Sequence, residues 1–333
     1  MATLASYFAQ AMSNIEPGDD ADHAKAAHAE VSAALRAAKP LINLGIDPVL
    51  IGSYARDVSI RRVKDVDVFG RLTDADVELR PSRAIELFET ALVDGFGASR
   101  VERQDRSLKV DFPAFDLAVD VVPARPCGDH WEIPKKTDQD DRASWVETNP
   151  TKLAELTTAA NATFTLSGKG IYVPTVKLVR QVRRVWVADQ PGGFFFEILT
   201  YWAFADSQPD YASRAEYLAF VLDYIETELP TVRDNGLPDP TLTGHDITTR
   251  ATDDEFDSAI DKIAEAAEAA RSALAEEDDC KAAVQWRRLL GATSEGEQVF
   301  PMPEYCNADG TRRNTGTAIK GAVTSPAGSG RYA

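Results

Sequence analysis

Cysteine, histidine and methionine are scarce in this chain of 333 residues, which holds three, four and three of them. Cys127, Cys280 and Cys306 are odd in number and far apart, which excludes a dense disulfide framework and predicts reduced thiols in a cytoplasmic protein. They form no ligand pair among themselves, and the scattered His23, His28, His130 and His245 read as structural or exposed. Positive charge is also in short supply, because 36 Lys and Arg against 53 Asp and Glu leave a formal charge of −17 at pH 7. An acidic surface repels phosphate backbones, so long RNA or DNA is a poor partner, while a local basic pocket for a triphosphate survives the argument. No run approaches the roughly 18 apolar residues of a membrane span, and Met1 to Met12 lacks the basic start of a signal peptide. A soluble, cytoplasmic protein away from the membrane is expected.

What is present is enough apolar material, 44% of residues, to fill a substantial core. Periodicity predicts helices over 3–14 and 20–38, the second opened by acidic residues from Asp19 to Asp22. Strands are predicted over Pro48–Ile51, Val63–Phe69, Ser107–Phe112 and Phe115–Val122, with a helix over Pro81–Leu92 among them. From about Thr151 the pattern is helical throughout, over 151–162, 171–188, 193–206, 212–228, 252–275 and 279–290. The fold class is therefore α/β followed by all-α, with units over 1–150 and 151–310. A stretch over 311–333, ending "TSPAGSGRYA", has the composition of a flexible tail.

The sharpest feature is "LIGSYARDVSIRRVKDVDVF", in which a strand runs into Gly52-Ser53 and the next strand carries Asp65 and Asp67. Residues two apart on a strand face the same way, so these two carboxylates share one side while Val66 and Val68 pack on the other. Like charges so close are costly unless a cation neutralises them, and hard oxygen ligands select Mg²⁺ or Mn²⁺. "FDLAVDVVPAR" supplies a third carboxylate, for which Asp120 is chosen and Asp116 stays an alternative, since the strand register is open. Such a cluster suits two-ion phosphoryl transfer, with Asp120 placed to accept a proton from the attacking hydroxyl. Gly52-Ser53 suits the phosphates, because glycine permits close backbone approach and amides with a hydroxyl can cradle anions. A helical turn from Tyr54 is expected to aim its positive end there.

"PTVKLVRQVRRVW" adds a helix whose apolar arc opposes Lys177, Arg180, Gln181 and Arg184. These residues read either as a solvated basic face or as a triphosphate clamp, led by Lys177 and Arg184. Tyr201 and Trp202 lie on the following helix and suit either base stacking or the core.

These residues resemble the CD-NTase family, bacterial relatives of cyclic GMP-AMP synthase and oligoadenylate synthase within the DNA polymerase beta-like superfamily. "GSYARDVSIRRVKDVDVF" looks like the family's Gly-Ser helix and first two acidic residues, and "VDVVPA" like the strand bearing the third. "WVETNP", "VKLVRQVRRVW", "GGFFFEIL", "LPDPTLTGHDIT" and "WRRLLG" resemble later blocks in order. Two departures stand out. Gly192 and Gly193 occupy the place of a Lys-Ser pair that often helps hold the triphosphate, and Arg184 stands where many members have lysine. The resemblance implies a polymerase beta-like core packed on a helical lobe as a bilobed cage, with two nucleotides in the cleft. It implies Asp65, Asp67 and Asp120 as catalytic ligands of two Mg²⁺ or Mn²⁺ ions. Gly52, Ser53, Lys177, Arg180, Arg184 and Tyr201 are the nucleotide-binding candidates, for ATP and other nucleoside triphosphates. It further implies condensation of nucleoside triphosphates, with release of pyrophosphate, into a cyclic di- or trinucleotide messenger of anti-phage (CBASS) defence. CBASS accessory proteins would be partners, one of them conjugating the tail through Ala333. The alternative activity is nucleotidyl transfer to an RNA end, a protein or a small molecule.

Overall fold

The structure, a computed structural model, describes residues 4–135 and 144–313. It opens with helices α1 (Ala5–Ile15), α2 (Asp20–Ala37) and the short α3 (Lys39–Ile42). Strand β1 (Ile46–Ile51), the single turn α4 (Gly52–Ala55), β2 (Asp65–Leu72) and α5 (Pro81–Phe96) follow. Next come β3 (Val101–Arg103), β4 (Leu108–Phe112), β5 (Leu117–Cys127), β6 (His130–Pro134) and β7 (Trp145–Thr148). The remainder is α6 (Pro150–Thr163), the minimal pair β8 (Thr165–Leu166) and β9 (Lys169–Gly170), α7 (Tyr172–Trp186), α8 (Gly193–Ser207) and α9 (Arg214–Asn235). A second minimal pair, β10 (Leu237–Pro238) and β11 (Asp246–Ile247), precedes α10 (Asp253–Ala275) and α11 (Asp279–Leu290).

The main sheet runs β1-β2-β5-β4-β3, and β6 and β7 extend it from the far end of β5. β2 and β5 pair in parallel, whereas β1 and β4 flank them antiparallel. Alternation decides which face is covered. Val66, Val68, Val119 and Val121 are buried and pack with Ala24, Ala27, Val31 and Leu35 of α2, whose three- and four-residue spacing forms one helical stripe. The opposite face, bearing the carboxylates, is left for the cleft.

The second core is helical and recruits the start of the chain. Phe8, Ala11, Met12 and Ile15 of α1 are buried with α7, α9 and α11, and Phe8 meets Trp286 and Phe300 edge-on at 5.0 and 5.1 Å. α1 thus packs with the helices after residue 150. α9 continues past its expected end through the exposed Pro230, because Leu229 before it and Val232 after it are buried and tertiary packing overrides the proline penalty. Among the described residues no helix is long and apolar enough to cross a membrane. Residues 314–333 of the anticipated tail, with Ala333, lie outside the described residues.

The expectation of three reduced thiols is corrected by one pair. Cys280, at the start of α11, and Cys306 are joined as a disulfide with Cα atoms 5.4 Å apart, while Cys127 is free. Both paired residues are fully buried, and the turn after Pro303 folds back onto α11, a contact between segments that no spacing rule foretells. The bridge closes a loop across a sequence separation of 26 residues. Reduction should therefore lower unfolding stability by about 3 kcal/mol, read as a fall in Tm when dithiothreitol is added.

Candidate active site

The parallel register of β2 on β5 brings the carboxylates together. Asp67 pairs with Asp120 and Asp65 with Ala118, so both acidic positions of β2 and Asp120 project from the same face of adjacent strands. Asp65 is exposed and Asp67 and Asp120 are half-buried, between valines that are fully buried beneath. Asp116 stands elsewhere: it precedes the strand with a φ of 51°, and its exposed carboxylate meets Arg62 Nη2 at 2.6 Å. An arginine already neutralises Asp116, whereas none of the side-chain ion pairs found among the described residues involves Asp65, Asp67 or Asp120.

Electrostatics records the cost. Burial first, then Asp120, pushes the Asp67 pKa up to about 6, with Asp65 adding to the rise and Arg56 opposing it. Burial and the charge of Asp65 likewise raise Asp120, partly offset by Lys109. Asp120 Oδ1 is buried with no hydrogen-bond partner, which an acceptor tolerates only if something absent from the chain satisfies it. Hard oxygen donors, mutual repulsion and an orphaned acceptor together fit a divalent cation.

Beside this cluster, β1 ends in the turn α4. The turn is shorter than a helix with a useful macrodipole, since Asp57 at a φ of 55° breaks it and Val58 N–H donates back to Ser53 O at 2.9 Å. What remains available is the set of unpaired amides of a first turn and the Ser53 hydroxyl, which lies 3.1 Å from Ser59 Oγ. Gly52 has a φ of 78°, and a Cβ built there would overlap the Asp67 carboxylate. Gly52→Ala should therefore move Asp67 and strain the turn by about 1–3 kcal/mol, so activity is expected to fall steeply while circular dichroism still reports a folded chain.

Two pockets meet here, each of about 330 Å³, and both are lined by Ser53, Asp67 and Arg180. One extends over Gly52, Asn149, Phe194 and Thr241, and the other over Asp65, Arg62 and Lys64. A pair of small-molecule sites sharing a carboxylate is what transfer between two bound nucleotides needs.

The Second Messenger Oligonucleotide or Dinucleotide Synthetase domain family matches residues 1–161. A cyclic AMP-AMP-AMP synthase from an Acinetobacter species is 30% identical over 312 residues, covering 87% of this chain and 84% of that one. The chain belongs to the CD-NTase family. It is a nucleotidyltransferase that condenses nucleoside triphosphates into cyclic oligonucleotide second messengers. Its fold is that of Escherichia coli MS115-1 CdnC, solved with ATP, at a TM-score of 0.66 and 18% identity over 89% of this chain and 97% of CdnC. CdnC in its complex with HORMA-deltaN gives a TM-score of 0.67 at 18% identity over 86% and 96%. CdnG of Bradyrhizobium diazoefficiens, solved with GTP, gives 0.66 at 16% identity over 85% and 96%.

The polar face of α7 is turned inward in this CD-NTase rather than to solvent. Lys177 is almost fully buried, and its Nζ donates to Glu16 at 2.7 and 2.9 Å and to Asp57 at 2.9 Å, tying α7 to the end of α1 and to the Gly-Ser turn. Gln181 donates to the backbone oxygens of Leu290 and Ala292, and Arg184 to Arg61 O and Gln181 Oε1. Arg180 reaches the cleft. Tyr201 is half-buried, meets Trp202 edge-on at 5.3 Å and packs against the helical core, one turn along α8 from Ile198, which lines the first pocket.

Sequence reasoning missed the pair that holds Arg180. Arg56, just past α4, donates from Nε and Nη2 to Glu197 of α8 at 2.6 and 3.1 Å, and Arg180 Nη1 lies 3.4 Å from the same carboxylate. Two guanidiniums on one carboxylate leave a net positive charge on the wall of the cleft, where an anionic substrate would lie. Gly193 makes room, since a Cβ there would stand 3.2 Å from Arg180 Cζ. The signals were present as Arg56 within "GSYARD" and Glu197 within "FFFEIL", but nothing local pairs residues 141 apart.

Proposed function

We propose that Asp65, Asp67 and Asp120 hold two Mg²⁺ ions and that the chain joins ATP units into a cyclic trinucleotide rich in adenine. The convergence of three carboxylates beside Gly52-Ser53, where two pockets share Ser53, Asp67 and Arg180, supports this reading. The name of the Acinetobacter relative supports the base and ring size.

In this reading the donor triphosphate rests on the Ser53 hydroxyl and the free amides of the α4 turn, with Arg180 holding its charge from the opposite wall. Bound divalent cations supply charge neutralisation and a more acidic attacking hydroxyl. Asp120, with its raised pKa and unpartnered Oδ1, accepts the proton of the acceptor hydroxyl. The oxygen then attacks the α phosphorus in line, the bond to the bridging oxygen breaks, and pyrophosphate leaves. Lys177 and Arg184 serve this centre by fixing α7 against α4 and the 61–62 segment, and the sheet with α2, α4 and α5 forms the catalytic unit.

Incubation with ATP and Mg²⁺, phosphatase treatment and mass spectrometry test the proposal, with an accessory protein of the HORMA kind added in parallel because CdnC forms such a complex. A phosphatase-resistant cyclic triadenylate is expected. A different ring or base composition overturns the product assignment, and nucleotide transfer to a co-purified macromolecule without a free product overturns the whole reading.

A further inference from the structure

Away from the catalytic carboxylates, the structure gathers a second set of metal-ligating side chains that the sequence disperses. Cys127 ends β5, a two-residue turn at Gly128 and Asp129 follows, and His130 opens β6 directly opposite it. Glu147 comes from β7, two strands away, and the ligand atoms of Cys127, His130 and Glu147 all lie within 4.8 Å of one another. His245, from the loop between β10 and β11, brings its Nε2 to 3.2 Å from Glu147 Oε2. Around a tetrahedral zinc ion, neighbouring ligand atoms stand roughly 3.3–3.8 Å apart; the first three converge within 4.8 Å and His245 adjoins them at Glu147.

Hydrogen bonding at His130 points the same way. Its Nδ1 lies 3.0 Å from Asp129 Oδ1, and a carboxylate can only accept, so the proton sits on Nδ1. Nε2 is then the ring nitrogen left to bind a metal ion. That atom is buried without a hydrogen-bond partner and lies 3.4 Å from Glu147 Oε2, so a ring nitrogen and a carboxylate oxygen converge on one point. A cation between the two would satisfy both atoms, and a carboxylate behind a histidine is the usual support of a zinc ligand.

We propose that Cys127, His130, Glu147 and His245 form a structural zinc site joining the catalytic sheet to the loop of the helical lobe. One thiolate, two imidazoles and one carboxylate suit zinc better than magnesium or calcium, and four protein ligands leave no open position for catalysis. The site lies at the rim of the nucleotide cleft: Thr148 and Asn149 follow Glu147, Asp239 and Thr241 precede His245, and all four line it. Asp239 N–H already donates to His245 O at 2.8 Å, so fixing His245 fixes this rim. The inference is independent of the catalytic assignment.

Cobalt substitution tests it. The full chain, stripped with a chelator and titrated with Co²⁺ alone, should develop a thiolate-to-cobalt charge-transfer band saturating at one equivalent, which the oxygen-only catalytic cluster cannot produce. Zn²⁺ should displace the cobalt and raise Tm. Cys127→Ser should abolish the band, and Asp129→Ala, on an exposed turn where folding is not at risk, should weaken affinity by about 10–100-fold. His245→Ala should leave the band but weaken binding further than a surface histidine control. No band in the wild-type chain, or a band that survives Cys127→Ser, would overturn the site.

Discussion

Asp67→Asn is expected to cost at least about 10³-fold in turnover, because cation-mediated stabilisation of a phosphoryl transition state is worth several kcal/mol. The same substitution should make the metal-stripped protein more stable. The Asp67 pKa is about 6 in the folded chain against an ordinary 3.8. Between those values the folded state binds more protons than the unfolded state, so stability falls as pH rises from about 4 to 6 and stays reduced above it. At about 1.4 kcal/mol per pKa unit, the penalty at neutral pH is of order 2–3 kcal/mol, and asparagine removes it. Thermal melts in chelator at pH 7.5 should show a higher Tm for Asp67→Asn than for the wild type, with the gap shrinking toward pH 4. Added Mg²⁺ should raise the Tm of the wild type more than that of the variant. An equal Tm for both proteins in chelator would contradict a repulsive carboxylate cluster. A site whose removal stabilises the fold is what selection for function over stability leaves behind.

Glu197→Ala should damage the fold itself. Glu197 and Arg56 have side-chain exposures of 1% and 4%, and Arg180 shares the same carboxylate. Removing the acid leaves the buried Arg56 and the half-buried Arg180 with nothing to offset their charges, and losing one partner of a buried pair costs about 3–5 kcal/mol. Chemical denaturation should show the midpoint falling without a change in slope if the loss is purely energetic. Glu197→Gln keeps the shape and one acceptor, so it should recover part of the stability. It should recover less of the activity, because Arg180 would no longer be drawn to its place beside Ser53 and Asp67. Equal loss in both variants would indicate that packing of the side chain, rather than its charge, holds α8 against the Gly-Ser turn.

Much of this site was legible because strand periodicity is a local rule. Asp65 and Asp67 had to share a face once β2 was recognised, and the burial of Val66 and Val68 on the other face followed from the same alternation. Strands β3, β6 and β7 were not seen: each has five residues or fewer, and the burial pattern of β6 and β7 barely alternates. The polar face of α7 was located correctly by helical periodicity, but its environment was not, since a wheel separates faces without saying what covers them. Lys177 looks like a free cation in the sequence and is a buried tie to Glu16 and Asp57 in the fold.

The sequence by itself therefore determined the order of helices and strands, the Gly-Ser turn, the shared face of Asp65 and Asp67 and the family to which the chain belongs. These rest on residues within a few positions of each other, where backbone geometry leaves few choices. Only the tertiary structure decided that Asp120 rather than Asp116 meets Asp67, that Glu197 gathers Arg56 and Arg180, that Cys280 bonds Cys306, and that Cys127 stands with His130, Glu147 and His245. Each of those contacts joins segments whose relative placement is set by the burial of two hydrophobic cores, a property of the whole chain that no short stretch of it encodes.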